Sequence, residues 1–126
     1  MKILDANMIL RLLVQDNEAA ADMVEELIEN NVVLVLPEVI AEVFYVMTKV
    51  YKIDRKTTSD IISVFLDDVN VQTEKADIVK KGIEYYGKTS LDFVDCLLCA
   101  YHTVSGYEIC TFDKKLNNLI RRESQN

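Results

Sequence analysis

The 126-residue chain has no tryptophan, one proline, three glycines and one histidine. So few turn-formers argue against an all-β fold, where Gly and Pro supply the special backbone angles of many tight reversals. One histidine excludes a zinc hydrolase built on paired histidines at helical spacing. The cysteines, Cys96, Cys99 and Cys110, are odd in number and offer no disulfide framework. The start, MKILDANMIL, carries too short an apolar run for a secretory signal, so the expected setting is a reducing cytoplasm. No run of 18 apolar residues is present, so no membrane span is expected. Bases are outnumbered: 14 Lys and Arg face 21 Asp and Glu, for a net charge of −7. That argues against loose binding to nucleic acid, unless a cation neutralises part of the acid.

Half of the residues are hydrophobic, enough to bury a core and too many for a disordered chain. Their pattern alternates between strand and helix. Ile3-Leu4 reads as a short buried strand, and an apolar helix begins near Ala6. Glu18 to Asn30 is amphipathic, with Ala21, Val24, Leu27 and Ile28 on one face. Val32 to Leu36 is a continuous β-branched strand ending at Pro37, which suits the first turn of a helix reaching Val50. Asp54 or Thr57 caps the next helix, which ends at Asp67-Asp68, and Val69 to Gln72 is a strand. Lys75 to Tyr86 is helical, with Gly87-Lys88 as a loop. Thr89-x-x-Asp92 has capping-box spacing ahead of a helix that Gly106 stops. Tyr107 to Thr111 is a fourth strand, Lys114 to Arg122 a last helix, and Glu123 to Asn126 a fraying tail. This order predicts one α/β domain over residues 1–126, with helices on both faces of a parallel sheet and right-handed crossovers.

Four acids fall at element junctions: Asp5 after the first strand, Glu42 one turn into the helix after the second, Asp95 near a later helix start, and Asp113 past the fourth strand. In open parallel sheets such tips are where ligands bind. If the first and fourth strands are neighbours, Asp5 and Asp113 share an edge. Glu38 and Glu42 also form a like-charge i, i+4 pair, which a cation would relieve. Clustered carboxylates that offer only oxygen point to Mg²⁺ or Mn²⁺.

Leu4-Asp5-Ala6-Asn7, Pro37-Glu38-Val39-Ile40-Ala41-Glu42-Val43, Leu91 to Ala100 and Thr111-Phe112-Asp113-Lys114-Lys115-Leu116 follow one another across almost the whole chain. In order and spacing they resemble the PIN-domain family, and more closely the VapC-like toxins within it. The resemblance implies a three-layer α/β/α fold with a central parallel sheet. Family members usually add a fifth strand, but the tail here has no strand-like run, so four strands in the order 3-2-1-4 are expected, or five with the last very short. It also implies an Mg²⁺- or Mn²⁺-dependent endoribonuclease that leaves 5′-phosphate and 3′-hydroxyl ends. By position, Asp5, Glu42, Asp95 and Asp113 match the acidic quartet. Asp5 and Asp95 are the first candidates for ligands, Asp113 for a second or weaker metal, and Glu42 for orienting water. Asn7 and Thr111 match supporting polar positions. The implied partners are RNA, a cognate antitoxin protein and a second copy in a homodimer.

Blander readings accompany these. Asp5 and Asp113 suit plain helix caps, Asp92 a cap-region acid, Cys96-x-x-Cys99 small core thiols, His102 a packed residue and Tyr85-Tyr86 core. The basic groups Lys49-Lys52-Arg55-Lys56, Lys80-Lys81-Lys88 and Lys114-Lys115-Arg121-Arg122 suit solvated faces or an approach for RNA. A receiver-like domain is excluded because Gln72-Thr73-Glu74 follows the third strand, and an Asp-x-Asp phosphatase because position 7 is Asn. An RNA-maturation nuclease and an inactive PIN-like binding module remain as alternatives.

Overall fold

Lys2–Ile3 forms β1, Val33–Leu34 β2 and Val71–Gln72 β3, in a computed structural model that describes residues 1–125. The three strands are parallel, with β2 between β1 and β3. Lys2 pairs with Val33, and Val33 with Val71. Hydrogen bonds continue past the formal ends: Leu4 N–H donates to the Leu34 carbonyl (3.2 Å) and Val35 N–H to that of Gln72 (2.8 Å). A continuous β-branched run such as Val32 to Leu36 suits a strand buried on both faces, but its burial is asymmetric. Val33 and Val35 are fully buried, whereas Leu34 and Leu36 are half-buried.

Helices α1 (Ala6–Val14) and α2 (Glu18–Asn30) connect β1 to β2. Gln15, in the left-handed region at φ 57°, separates them. Helices α3 (Pro37–Tyr45) and α4 (Arg55–Leu66) connect β2 to β3. α5 (Ala76–Lys88), α6 (Phe93–Ser105) and α7 (Lys114–Ser124) follow. Five starts are capped by a side chain reaching back to a backbone N–H: Asp5, Asn17, Asp54, Asp92 and Asp113. Each such cap stabilises its helix by about 1 kcal/mol.

Several boundaries differ from the sequence reading. The helix expected to reach Val50 gives way at Val46 to a wider π-helical turn, Val46–Val50, where Tyr51 N–H reaches the Val46 carbonyl (3.1 Å). Gly87 and Lys88 belong to α5, because Gly87 lets the last turn close on Ser59; a Cβ there would lie 3.1 Å from the Ser59 hydroxyl. Thr89 ends α5 instead of starting a capping box, and Asp92 itself caps α6. α7 runs through Ser124, so the tail expected to fray is helical up to there, and Asn126 lies outside the described residues.

The largest correction is to the sheet. Among the described residues it has three strands, in the order 3-2-1, and Tyr107–Thr111 adds no fourth. The segment spends its hydrogen bonds elsewhere. The Tyr107 carbonyl meets His102 Nδ1 (2.7 Å), and the Thr111 carbonyl accepts from Asn117 Nδ2 (3.0 Å). Those contacts tie both ends of the segment to α6 and α7. Tyr107, Glu108 and Cys110 stay exposed, so no buried face draws the segment onto β1.

The core joins the sheet to α3, α5 and α6. The Phe44 ring lies 4.1 Å from that of Tyr86 and 4.9 Å from that of Phe93. Burying such a side chain contributes about 1.5–3 kcal/mol, and each good aromatic pair about 0.5–1.5 more. Gly82 permits close approach of α5 to α6, since its absent Cβ would sit 3.1 Å from Leu97 Cδ2. Cys96 and Cys99 are fully buried here, and burial pushes both thiols up to about 11, as inert core groups require. His102 is a packed residue, with its ring nitrogens against the Tyr107 carbonyl and the Ser124 hydroxyl.

Candidate metal centre

The candidate site is assembled from helix starts. A strand entering a helix leaves the first N–H groups unpaired, and a short acid at the junction satisfies them. Asp5 accepts from Met8 N–H (2.9 Å), Asp92 from Asp95 N–H (2.9 Å) and Asp113 from Leu116 N–H (2.9 Å). Each of these bonds uses Oδ1, so every carboxylate keeps a second oxygen. The cap role anticipated for Asp5, Asp92 and Asp113 is therefore present, and it leaves donor capacity over.

Asp95 lies in the first turn of α6, half-buried. Burial pushes its carboxyl above its ordinary value, and the negative charges of Asp92 and Asp113 push it further. The starts of α6 and α7 thus bring together two of the four predicted acids, Asp95 and Asp113, with Asp92 as a third. β1 and β2 are parallel neighbours, so Asp5 and the start of α3 leave the sheet at one edge. Glu42, exposed one turn into α3, comes from that edge, and the Phe44–Phe93 contact holds α3 against the start of α6. Among the described residues no base forms an ion pair with Asp5, Glu42, Asp92, Asp95 or Asp113.

Among the described residues no three Asp, Glu, His or Cys side chains close into a ready metal cage. The donor chemistry nevertheless suits a hard divalent cation. It is all oxygen, it lacks bases, and at Asp95 it shows the mutual repulsion that a cation relieves. Asn7 makes no hydrogen bond to a carboxylate among the described residues; its amide oxygen accepts a long bond from Arg11 (3.4 Å). The Thr111 hydroxyl accepts from Asp113 N–H (3.0 Å), so it steadies the backbone that carries the acid.

Two features escaped the sequence reading. Asp92 is a charged neighbour of Asp95 as well as a cap, and the Asp-x-x-Asp spacing at a helix start was the available signal. Arg55 donates through Nε to the Tyr86 carbonyl (3.0 Å) and through a terminal nitrogen to the Leu91 carbonyl. It thereby fixes the loop that delivers Asp92. Nothing local marks Arg55 for that task. A roomier cleft of about 590 Å³ lies away from the acids, between α1, α2 and α4, with Leu12, Ile28, Ile61 and Phe65 in its lining and Glu25, Glu29, Asp60 and Asp68 as its acids.

A parallel α/β domain with unpaired carboxylates gathered at helix starts beyond the strand tips is the class that the fold and site define. The PIN domain model matches residues 2–121, and the chain belongs to the PIN domain family. It is similar to a VapC ribonuclease of Aquifex aeolicus (strain VF5), 27% identical over 124 residues that cover 94% of this chain and 92% of that protein. No solved structure matches.

Proposed function

We propose that the chain is a divalent-metal-dependent endoribonuclease, acting as the toxin of a type II toxin–antitoxin pair. The observation that carries this reading is the start of α6, where half-buried Asp95 donates its backbone N–H to Asp92 (2.9 Å), burial and the charges of Asp92 and Asp113 raise its carboxyl, and none of the three forms an ion pair among the described residues. Family membership and the similarity to a VapC ribonuclease support it. Asp5, Asp95 and Asp113 would hold the cation, Mg²⁺ or Mn²⁺. When bound, the cation makes water a better nucleophile at neutral pH and offsets charge on the phosphoryl oxygens. Glu42 accepts a proton from the attacking water and orients it. The water oxygen joins phosphorus as the bond to the 3′-oxygen breaks, and the leaving 3′-oxygen takes a proton from solvent, which yields a 5′-phosphate and a 3′-hydroxyl. Thr111 holds the Asp113 backbone in place through its hydroxyl.

In this reading the protein works in the cytoplasm as a homodimer, in keeping with its free cysteines. No helix among the described residues is long and apolar enough to cross a membrane. The partner is a short antitoxin, and a small adjacent gene encoding a DNA-binding protein is the expected genomic sign. The decisive experiment maps new 5′ ends in RNA after brief expression of the wild type and of Asp5→Asn. Cuts made only by the wild type, together with Mn²⁺ binding that Asp5→Asn weakens, support the reading. Identical cut patterns would sink it. Metal binding without cleavage would leave the inactive binding module instead, and cleavage confined to one precursor RNA would favour a maturation nuclease.

A further inference from the structure

A small cleft opens beside the acids, where the sequence reading placed a basic group suited to a solvated face or an approach for RNA. Its volume is about 170 Å³, and its lining includes Tyr45, Lys49, Arg55, Ser90 and Asp92. Asp92 ties it to the metal centre, because the same carboxylate accepts from Asp95 N–H (2.9 Å). Tyr45 ties it there a second time: it follows Glu42 by three residues, so the two are neighbours on one helix face. Beyond Tyr45 the wider turn Val46–Val50 carries Lys49.

The charge in this cleft is unusual for a chain of net −7. Arg55 is half-buried, its guanidinium 3.5 Å above the Tyr86 ring and bound to two backbone carbonyls. Among the described residues neither Arg55 nor Lys49 forms an ion pair, although Arg11, Lys56, Lys80, Lys81 and Lys88 all do. A guanidinium so held has already lost its side-chain freedom, so an anion that binds it meets a prepared donor. Tyr45 is 63% exposed at the same mouth, a flat ring with nothing stacked on it among the described residues.

We propose that this cleft is a subsite for the nucleotide next to the bond that is cut. Arg55 and Lys49 take its phosphate, and Tyr45 stacks on its base. The inference rests on the nuclease reading for its substrate. It offers a route by which an acidic protein receives RNA: a guanidinium held rigid by two carbonyls and a ring, with Lys49 beside it, lies in a cleft that Asp92 also lines. Stacking on a tyrosine tolerates any base, so this subsite adds affinity and register with little choice of sequence.

The test is binding of a short fluorescein-labelled single-stranded RNA in EDTA, read by anisotropy across a salt series. Lys49→Gln should weaken binding and flatten the logarithmic salt slope by about 0.7, the share of one phosphate contact on a single strand. Tyr45→Ser should weaken binding by about 5- to 100-fold and leave the slope in place. Both side chains are exposed, so both variants keep the fold. Arg55→Gln also removes anchors of the Leu91 loop, and it enters only as a third arm. Lys56→Gln, at a residue paired with Asp60, should bind like the wild type. Unchanged affinity and slope in Lys49→Gln and Tyr45→Ser would overturn the subsite even if cleavage is confirmed, as would absence of metal-free binding by the wild type. Lost binding in those variants alongside full cutting by Asp5→Asn would keep the subsite and sink the assignment of the acids.

Discussion

Two acids on packed neighbouring helices have opposite fates. Glu84 on α5 lies between Lys81 (3.0 Å) and Lys88 (3.2 Å), and the hydrogen bond from Lys81 holds its carboxyl below its ordinary value, with a smaller contribution from Lys88. Asp95 on α6 has no base beside it, and burial and two like charges hold it above. Glu84 follows the surface rule of an acid matched within one helical turn. Asp95 breaks that rule where the chain leaves the sheet. Local charge balance therefore separates a solvated face from a candidate centre more clearly than the count of acids does.

The contrast breaks most sharply at Asp95→Asn. Cleavage should fall by about 100-fold or more, the scale of losing a positioned acid–base or charged group, while Tm at neutral pH rises because a buried repulsion is gone. A loss of both activity and stability would make Asp95 a structural acid instead. Thr111→Ala should reduce activity or Mn²⁺ affinity by about 10- to 100-fold, the usual cost of removing a supporting group, and Asn7→Ala, which loses a long bond from Arg11, should cost less.

The two acids also give opposite pH signs. The folded-state pKa of Asp95 is raised, so folded protein binds more protons there than unfolded chain does. Its effect is a loss of stability as pH climbs from the ordinary aspartate pKa through the raised one, and Asp95→Asn should abolish that loss in pH-dependent melting. The folded pKa of Glu84 is lowered, so its contribution is present above the ordinary glutamate pKa and disappears as pH falls through the lowered one.

The smallest effect is expected at Lys80→Gln, which removes the exposed pair with Asp67 (3.1 Å). Stability should change by no more than about 0.5 kcal/mol and cleavage not at all. A large loss of cleavage would mean that the compensated face also takes part in function.

Much of this was legible in the residues. Helix starts at Asp5, Asp54, Asp92 and Asp113 were readable because each acts through an N–H only three residues away; the cap at Asn17, which works the same way, was not read. β2 was readable because Val33 and Val35 are fully buried within a continuous apolar, β-branched run, although Leu34 and Leu36 stay half-buried. Tyr107–Thr111 was not, because its β-propensity is outweighed by side-chain bonds from His102 and Asn117 to its carbonyls. The end of α5 was misread because a glycine normally marks a break, and Gly87 instead makes room for Ser59 on α4. Arg55 was invisible because its partners, Tyr86 and Leu91, lie 31 and 36 positions away.

The sequence by itself determined the alternation of strands and helices, the capped helix starts and the placement of an acid at each junction, because these depend on contacts within about one helical turn. Only the tertiary structure decided which acids share a field. It set Asp92 and Asp113 around Asp95, paired Glu84 with lysines, and left Arg55 without a carboxylate. Charge interactions act through space and depend on burial, and neither distance nor burial is written in residue order.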